Sequence, residues 1–233
     1  MNIKVKVLLI IATAAGCFAS CKKNNDKPDA VDSSTSALNV VNATFNNVNI
    51  YVNGTRVNNT TTFYPGGTLG YILIKAGTQN YSVKLDGPNN PNPLFSLPLT
   101  LSKDSIYSFY IAGNTADQVF KTTDVLAADT GKTPMAKIRF VNASSDAGNL
   151  SVRFEGITNK LAVDTEQVKN IGFKTTSAFK LVAPGVHNMA LYSTGLPTTI
   201  VRDTVLLTGG KIYTYYGYGN KSTGLATGVF TNQ

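Results

Sequence analysis

Few side chains in this 233-residue chain could do covalent or acid–base chemistry. There is one histidine, His187, and there are two cysteines, Cys17 and Cys21. A Ser-His-Asp triad would have to use His187. That residue follows the Pro184-Gly185 turn at the start of an expected strand, and no G-x-S-x-G elbow accompanies it. A solvated or hydrogen-bonded edge histidine is the simpler reading. Asp164 and Glu166, in "VDTEQV", would share one face of a strand and are the candidate carboxylate pair for glycoside hydrolysis. With thirteen acidic residues in the chain, such spacing arises by chance, and solvated surface charge is expected. One histidine and two cysteines cannot make up a Cys-His zinc site, and there is no D-x-D-x-D-G calcium loop. "YPGGTLG" (Tyr64 to Gly70) lacks the Lys-Ser/Thr of a phosphate loop and reads as a hairpin turn. No enzyme, cofactor or metal is expected.

The cysteines have a different chemistry. Lys4 and Lys6 precede the apolar run "VLLIIATAA", Val7 to Ala15, and small residues follow up to Ser20. That order is the layout of a secretory signal, and the run is shorter than the roughly 20 residues needed to cross a bilayer. A disulfide between Cys17 and Cys21 would close a tiny loop and constrain little. The segment resembles the signal of bacterial lipoproteins, in which cleavage before a cysteine leaves that cysteine to carry acyl chains. "AAGC" offers Cys17 and "FASC" offers Cys21. Cys21 is favoured, because cleavage there removes the whole apolar run and exposes "KKNNDKPDAVDSSTS". Residues 1–20 are thus read as signal peptide and 21–36 as a lipidated, flexible tether with almost nothing to bury.

Beyond the tether the chain repeats itself. "LNVVNAT" (Leu38 to Thr44) matches "IRFVNAS" (Ile138 to Ser144), and "NIYVNG" matches "SVRFEG". "IKAGTQNYSVKL" then matches "VAPGVHNMALY", placing Gln79 opposite His187, and "DSIYSFYIAGN" matches "GKIYTYYGYGN". One domain is used twice, over residues 37–126 and 136–233, with "AADTGKTPM" (127–135) as linker. Val, Thr, Tyr and Phe alternate with polar residues over short runs, and turn signals recur about every ten residues. No segment holds a period near 3.6. The expected fold is all-β: two tandem antiparallel Ig-like β-sandwiches.

"AKIRFVNASSDAGNLSVRFEG" (Ala136 to Gly156) resembles the opening of the domain of unknown function 4397. "VAPGVHNMALY" and "GGKIYTYYGYG" resemble its Pro-Gly turn and its Gly-x-x-Tyr-Thr strand. In the first copy "NATFNNVNIYVNG" lacks the Asp-Ala pair. The resemblance implies an Ig-like sandwich in an exported or surface-anchored bacterial protein, and it implies no activity.

Charge and aromatic residues remain. From Lys132 onward there are eleven bases and five acids, whereas residues 38–131 hold five of each. An electropositive second repeat could face an anionic glycan or lipid, but Lys160, Lys169, Lys174 and Lys180 are scattered, and ordinary solubility is the simpler reading. No nucleic-acid motif is present. In "KIYTYYGYG", Tyr213 and Tyr215 share one strand face, and Tyr216 and Tyr218 the other. If the first pair faces the core, Tyr216 and Tyr218 point outward and are the candidate ligand-binding residues, as a platform for a sugar ring. The competing expectation is that they are covered by the neighbouring domain or merely exposed. Together these features describe a cell-envelope lipoprotein, held at the outer membrane by its N-terminal lipid. It would act as a non-enzymatic binding, scaffold or adhesion module with an envelope protein or glycan as partner. The alternative is an accessory glycan-binding lipoprotein of a nutrient-uptake system.

Overall fold

The computed structural model of the chain describes residues 34–58, 61–156, 166–196, 198–222 and 224–232. Cys17, Cys21, the signal segment and the tether up to residue 33 lie outside the described residues. The β-branched and aromatic runs form strands, as their propensity favours. In the first repeat these are β1 (Thr35–Asn42), β2 (Val48–Val52), β3 (Thr55–Arg56) and β4 (Thr68–Lys75), then β5 (Gly77–Leu85), β6 (Phe95–Leu101), β7 (Ile106–Ile111) and β8 (Val119–Thr123). In the second they are β9 (Ala136–Ala143), β10 (Leu150–Gly156), β11 (Glu166–Ile171) and β12 (Lys180–Val182), then β13 (Gly185–Ser193), β14 (Thr199–Leu207), β15 (Ile212–Asn220) and β16 (Gly224–Thr231). β1 starts at Thr35, just inside the segment read as tether.

The two repeats have the same wiring. The first has sheets ordered β4-β1-β7-β8 and β3-β2-β5-β6, and the second has β12-β9-β15-β16 and β11-β10-β13-β14. Among the described residues every ladder is antiparallel except β1–β7 and β9–β15, which run parallel. Each repeat is thus a sandwich of two four-stranded sheets around its own core. Leu38, Val40, Phe109 and Ile111 meet Ile50, Tyr81 and Val83 in the first. Ile138, Phe140, Tyr213 and Tyr215 meet Val152, Met189 and Leu191 in the second.

The repeated "VNA" tripeptide has a structural job. Asn42 Nδ2 donates to the Asn46 and Phe63 carbonyls, 2.8 and 2.9 Å away, while its Oδ1 accepts from the Thr44 N–H. Asn142 does the same with the Gly148 and Ile171 carbonyls and the Ser144 N–H. A buried carboxamide satisfied on both ends braces the turn after β1 and after β9. The linker is ordered too: Asp129 accepts from the Gly131 and Met135 N–H groups.

The strands differ in how they are buried. β14 alternates between half-buried and exposed residues along most of its length. β7, β9 and β15 are almost continuously buried. A strand covered on both faces loses the alternation that one solvated face would give. The outer faces of β1, β7, β9 and β15 therefore lie against something, and Val41, Ala43, Tyr110 and Ala112 of the first repeat share a core with Val141, Ala143, Tyr216, Tyr218 and Phe230 of the second. The four sheets stack, with the two inner sheets forming a seam between the repeats.

Candidate functional site: the seam between the repeats

Tyr216 and Tyr218 sit in this seam. Tyr216 is fully buried and Tyr218 is 8% exposed. The strand-face division expected from the sequence is present, with Tyr213 and Tyr215 in the second core and Tyr216 and Tyr218 on the opposite face. That opposite face does not meet solvent. The open sugar platform is therefore replaced by a domain contact, because the first repeat covers both rings. The Tyr216 ring lies edge-on to Tyr110 at 6.2 Å and near Phe230 at 6.1 Å, and Tyr110 stacks on Phe120 at 4.8 Å. The Tyr216 hydroxyl crosses the seam and donates to the Gly66 carbonyl at 2.7 Å. Its cross-strand partner is Gly228, where any Cβ would collide with the phenol oxygen. Burial raises the Tyr216 pKa far above its ordinary value.

Beside the aromatic cluster runs a closed polar ring. Arg139, on the outer face of β9, forms an ion pair with Asp124, which follows β8, and both side chains are almost wholly buried. From Arg139 the ring continues through Nε to Thr214 Oγ1 at 3.0 Å, and from that hydroxyl to Asn232 Oδ1 at 2.8 Å. Asn232 Nδ2 donates to the Tyr71 hydroxyl at 2.7 Å, and Tyr71 donates to Asp124 Oδ2 at 2.6 Å. Ser108 and Thr122 donate to the same carboxylate. Each hydroxyl in the ring donates once and accepts once, so the buried charges are surrounded by satisfied partners. Burial, then the neighbouring Asp124 charge, holds the Tyr71 phenol protonated.

The other sequence candidates lie apart. His187 is buried at the end of the second core, and its ring Nε2–H donates to the Ala183 carbonyl at 2.8 Å. Asp164 and Lys160 lie outside the described residues, and Glu166 opens β11 opposite Arg153. Lys169 and Lys180 line one groove between β11 and β12, whereas Lys174 donates to the Asp117 carbonyl in the first repeat. Among the described residues, no three His, Cys, Asp or Glu side chains gather as a metal site. The seam polar ring was missed from sequence. Its one signal is Arg139, a charge inside the otherwise apolar run "IRFV".

A family model described as a domain of unknown function (DUF4397) matches residues 36–153, about half of the chain. The chain belongs to this family. The DUF4397 match takes in the first repeat, the linker, β9 and most of β10. The remaining six strands of the second repeat lie beyond it, although they repeat the wiring of the first. Among curated proteins none matches the chain. Solved structures that match include the C-terminal domain of AlgF from P. aeruginosa, at 20% identity and a TM-score of 0.31, covering 42% of this chain and 98% of that one. A leucine-rich repeat protein from Bacteroides thetaiotaomicron matches at 14% identity and a TM-score of 0.22, over 81% of this chain and 26% of its own. A streptococcal ancillary pilin matches at 10% identity and a TM-score of 0.22, over 75% and 59%. Scores this low transfer neither fold nor function to the DUF4397 chain.

Proposed function

We propose that the protein is a lipid-anchored, non-enzymatic module of the bacterial cell envelope. It would stand off the outer membrane on a tether that starts at acylated Cys21, and bind or present an envelope partner. The observation that carries the reading is the sealed seam. Two sandwiches locked face to face make one stiff block with broad outer sheets, which suits holding a surface at a fixed distance from an anchor. The only histidine is tied to a backbone carbonyl, which favours binding over catalysis. The anchor rests on the order of basic start, apolar run and small residues before Cys21. The nutrient-uptake reading loses its stated support, because Tyr216 and Tyr218 are occupied in the seam.

The anchor is tested by feeding cells an alkyne fatty acid and sequencing the N-terminal peptide by mass spectrometry. The expected product starts at acylated Cys21, is lost in Cys21→Ser and persists in Cys17→Ser. An N-terminus at Cys17, or an unacylated protein, overturns the anchor. Photo-cross-linking from the outer sheets in intact cells tests the binding role, with a specific envelope partner as the expected result. Catalytic turnover lost on changing His187 would overturn it.

A further inference from the structure

A cavity of about 310 Å³ opens at one end of the seam. It is small for a ligand site, near the lower end of the roughly 300–1,000 Å³ usual for small molecules, and it lies at a domain interface, where such sites concentrate. It is built from matched segments of both repeats. The turn after β1 supplies Phe45 and Asn46, and the turn after β9 supplies Ser145. The turn after β7 supplies Asn114, and the end of β15 supplies Asn220. The segments by which the sequence repeats itself, "VNA(T/S)" and "GN", thus converge on one place.

We propose that this cavity binds a neutral sugar ring. This deepens the binding-module reading above and rests on it. Three observations select the ligand class. First, among the described residues no lining side chain is charged, although the second repeat is strongly basic. An acidic sugar or a phosphate would find no counter-charge there. Second, the lining is rich in carboxamides and hydroxyls. Asn46 Nδ2 donates to Asn114 Oδ1 at 3.0 Å. That bond holds the two side chains together and leaves, among the described residues, the Asn46 oxygen as acceptor and the Asn114 amide nitrogen as donor. Adjacent hydroxyls on a sugar can each donate and accept, so a neighbouring acceptor and donor match such a pair. Third, Phe45 stands 40% exposed at the rim. Its ring backs onto Tyr218 at 5.6 Å. It is seated over Gly219, where a Cβ would come within 2.5 Å of the ring. A rigid aromatic face held at the mouth of a polar cavity suits the apolar C–H face of a pyranose, while the amides take its hydroxyls. Tyr218 therefore has a part in this site, as the support behind Phe45 and not as an open platform.

The test uses the detergent-solubilised full protein on an array of neutral hexose and N-acetylhexosamine oligosaccharides, with acidic oligosaccharides alongside. A neutral glycan should be retained, and calorimetric titration with it should show binding weakened about tenfold in Asn114→Ala and in Phe45→Ala. Asn114 is on the surface, so its variant should keep the wild-type melting temperature and remain informative if Phe45→Ala loosens the seam. Retention of no neutral glycan, retention of acidic glycans only, or unchanged affinity in both variants would overturn the proposal. If the sugar site fails while acylated Cys21 and a cross-linked envelope partner are found, the module reading stands without it. If those fail as well, both fall.

Discussion

Replacing Tyr216 separates a sealed seam from two sandwiches that merely touch. Its ring is fully buried among Tyr110, Tyr218 and Phe230, and its hydroxyl donates to the Gly66 carbonyl. Tyr216→Phe keeps the ring and deletes that bond. A typical intramolecular hydrogen bond contributes about 1 kcal/mol net. Gly66 is only half-buried, so water can reach its carbonyl and the loss should stay near that figure. Tyr216→Ala also removes the ring and leaves a cavity between two inner sheets that are braced on both sides. Truncating a buried aromatic costs about 3–5 kcal/mol. Urea unfolding followed by far-ultraviolet circular dichroism reads both. With a slope of about 2 kcal/mol per molar, the midpoint should fall by roughly 0.5 M for Phe and roughly 2 M for Ala. A shift below roughly 0.5 M for Tyr216→Ala would mean that the ring is not packed, and the seam as described would be wrong.

Three further outcomes follow from the same contacts. Asp124→Ala strands the Arg139 guanidinium and should cost about 3–5 kcal/mol, whereas Asp124→Leu with Arg139→Met should recover most of it; a double-mutant cycle with no coupling between the two sites would refute the pair. Gly228→Val forces a side chain into the space of the Tyr216 phenol and should destabilise by about 1–3 kcal/mol, while Gly228→Val with Tyr216→Ala should lose less than the two separate effects combined. High pH should unfold the protein. Burial pushes the Tyr81 phenol up to about 12 and raises Tyr110, Tyr215 and Tyr216 as well. An unfolded tyrosine ionises near pH ~10, so above that pH the folded state binds more protons and stability falls as pH rises toward about 12. Absorbance at the phenolate band should then rise together with loss of the β-sheet signal, and buried phenols that ionise with the fold intact would contradict this.

Much of the fold was legible because strands carry their pattern locally. Alternation in "NIYVNG" puts Ile50 and Tyr51 on opposite strand faces, and in the structure Ile50 packs in the first core while Lys84 lies 5.1 Å over the Tyr51 ring. The second repeat makes the same diagonal contact with the partners exchanged, Arg153 over Tyr192 at 4.9 Å. The four matched segments showed one domain used twice, and the face division of Tyr213 to Tyr218 was readable residue by residue. What covers the second face of an inner strand was not readable. Alternation says which residues share a face, and the near-continuous apolar runs in β7 and β15 carry the remaining hint that both faces are covered. The parallel pairing of β1 with β7 joins strands far apart in sequence, and no turn signal marks it. The polar ring draws on Tyr71, Asp124, Arg139, Thr214 and Asn232, five unremarkable positions until the two repeats meet. The carboxamide cavity is hidden for the same reason, since each repeat supplies only part of its wall.

The central claim is that the two repeats form one cooperative unit through the seam. Scanning calorimetry of the detergent-solubilised protein tests it most directly. One transition is predicted, with calorimetric and van 't Hoff enthalpies equal for a unit spanning both sandwiches. Two separable transitions, each with the enthalpy of a single repeat, would contradict it.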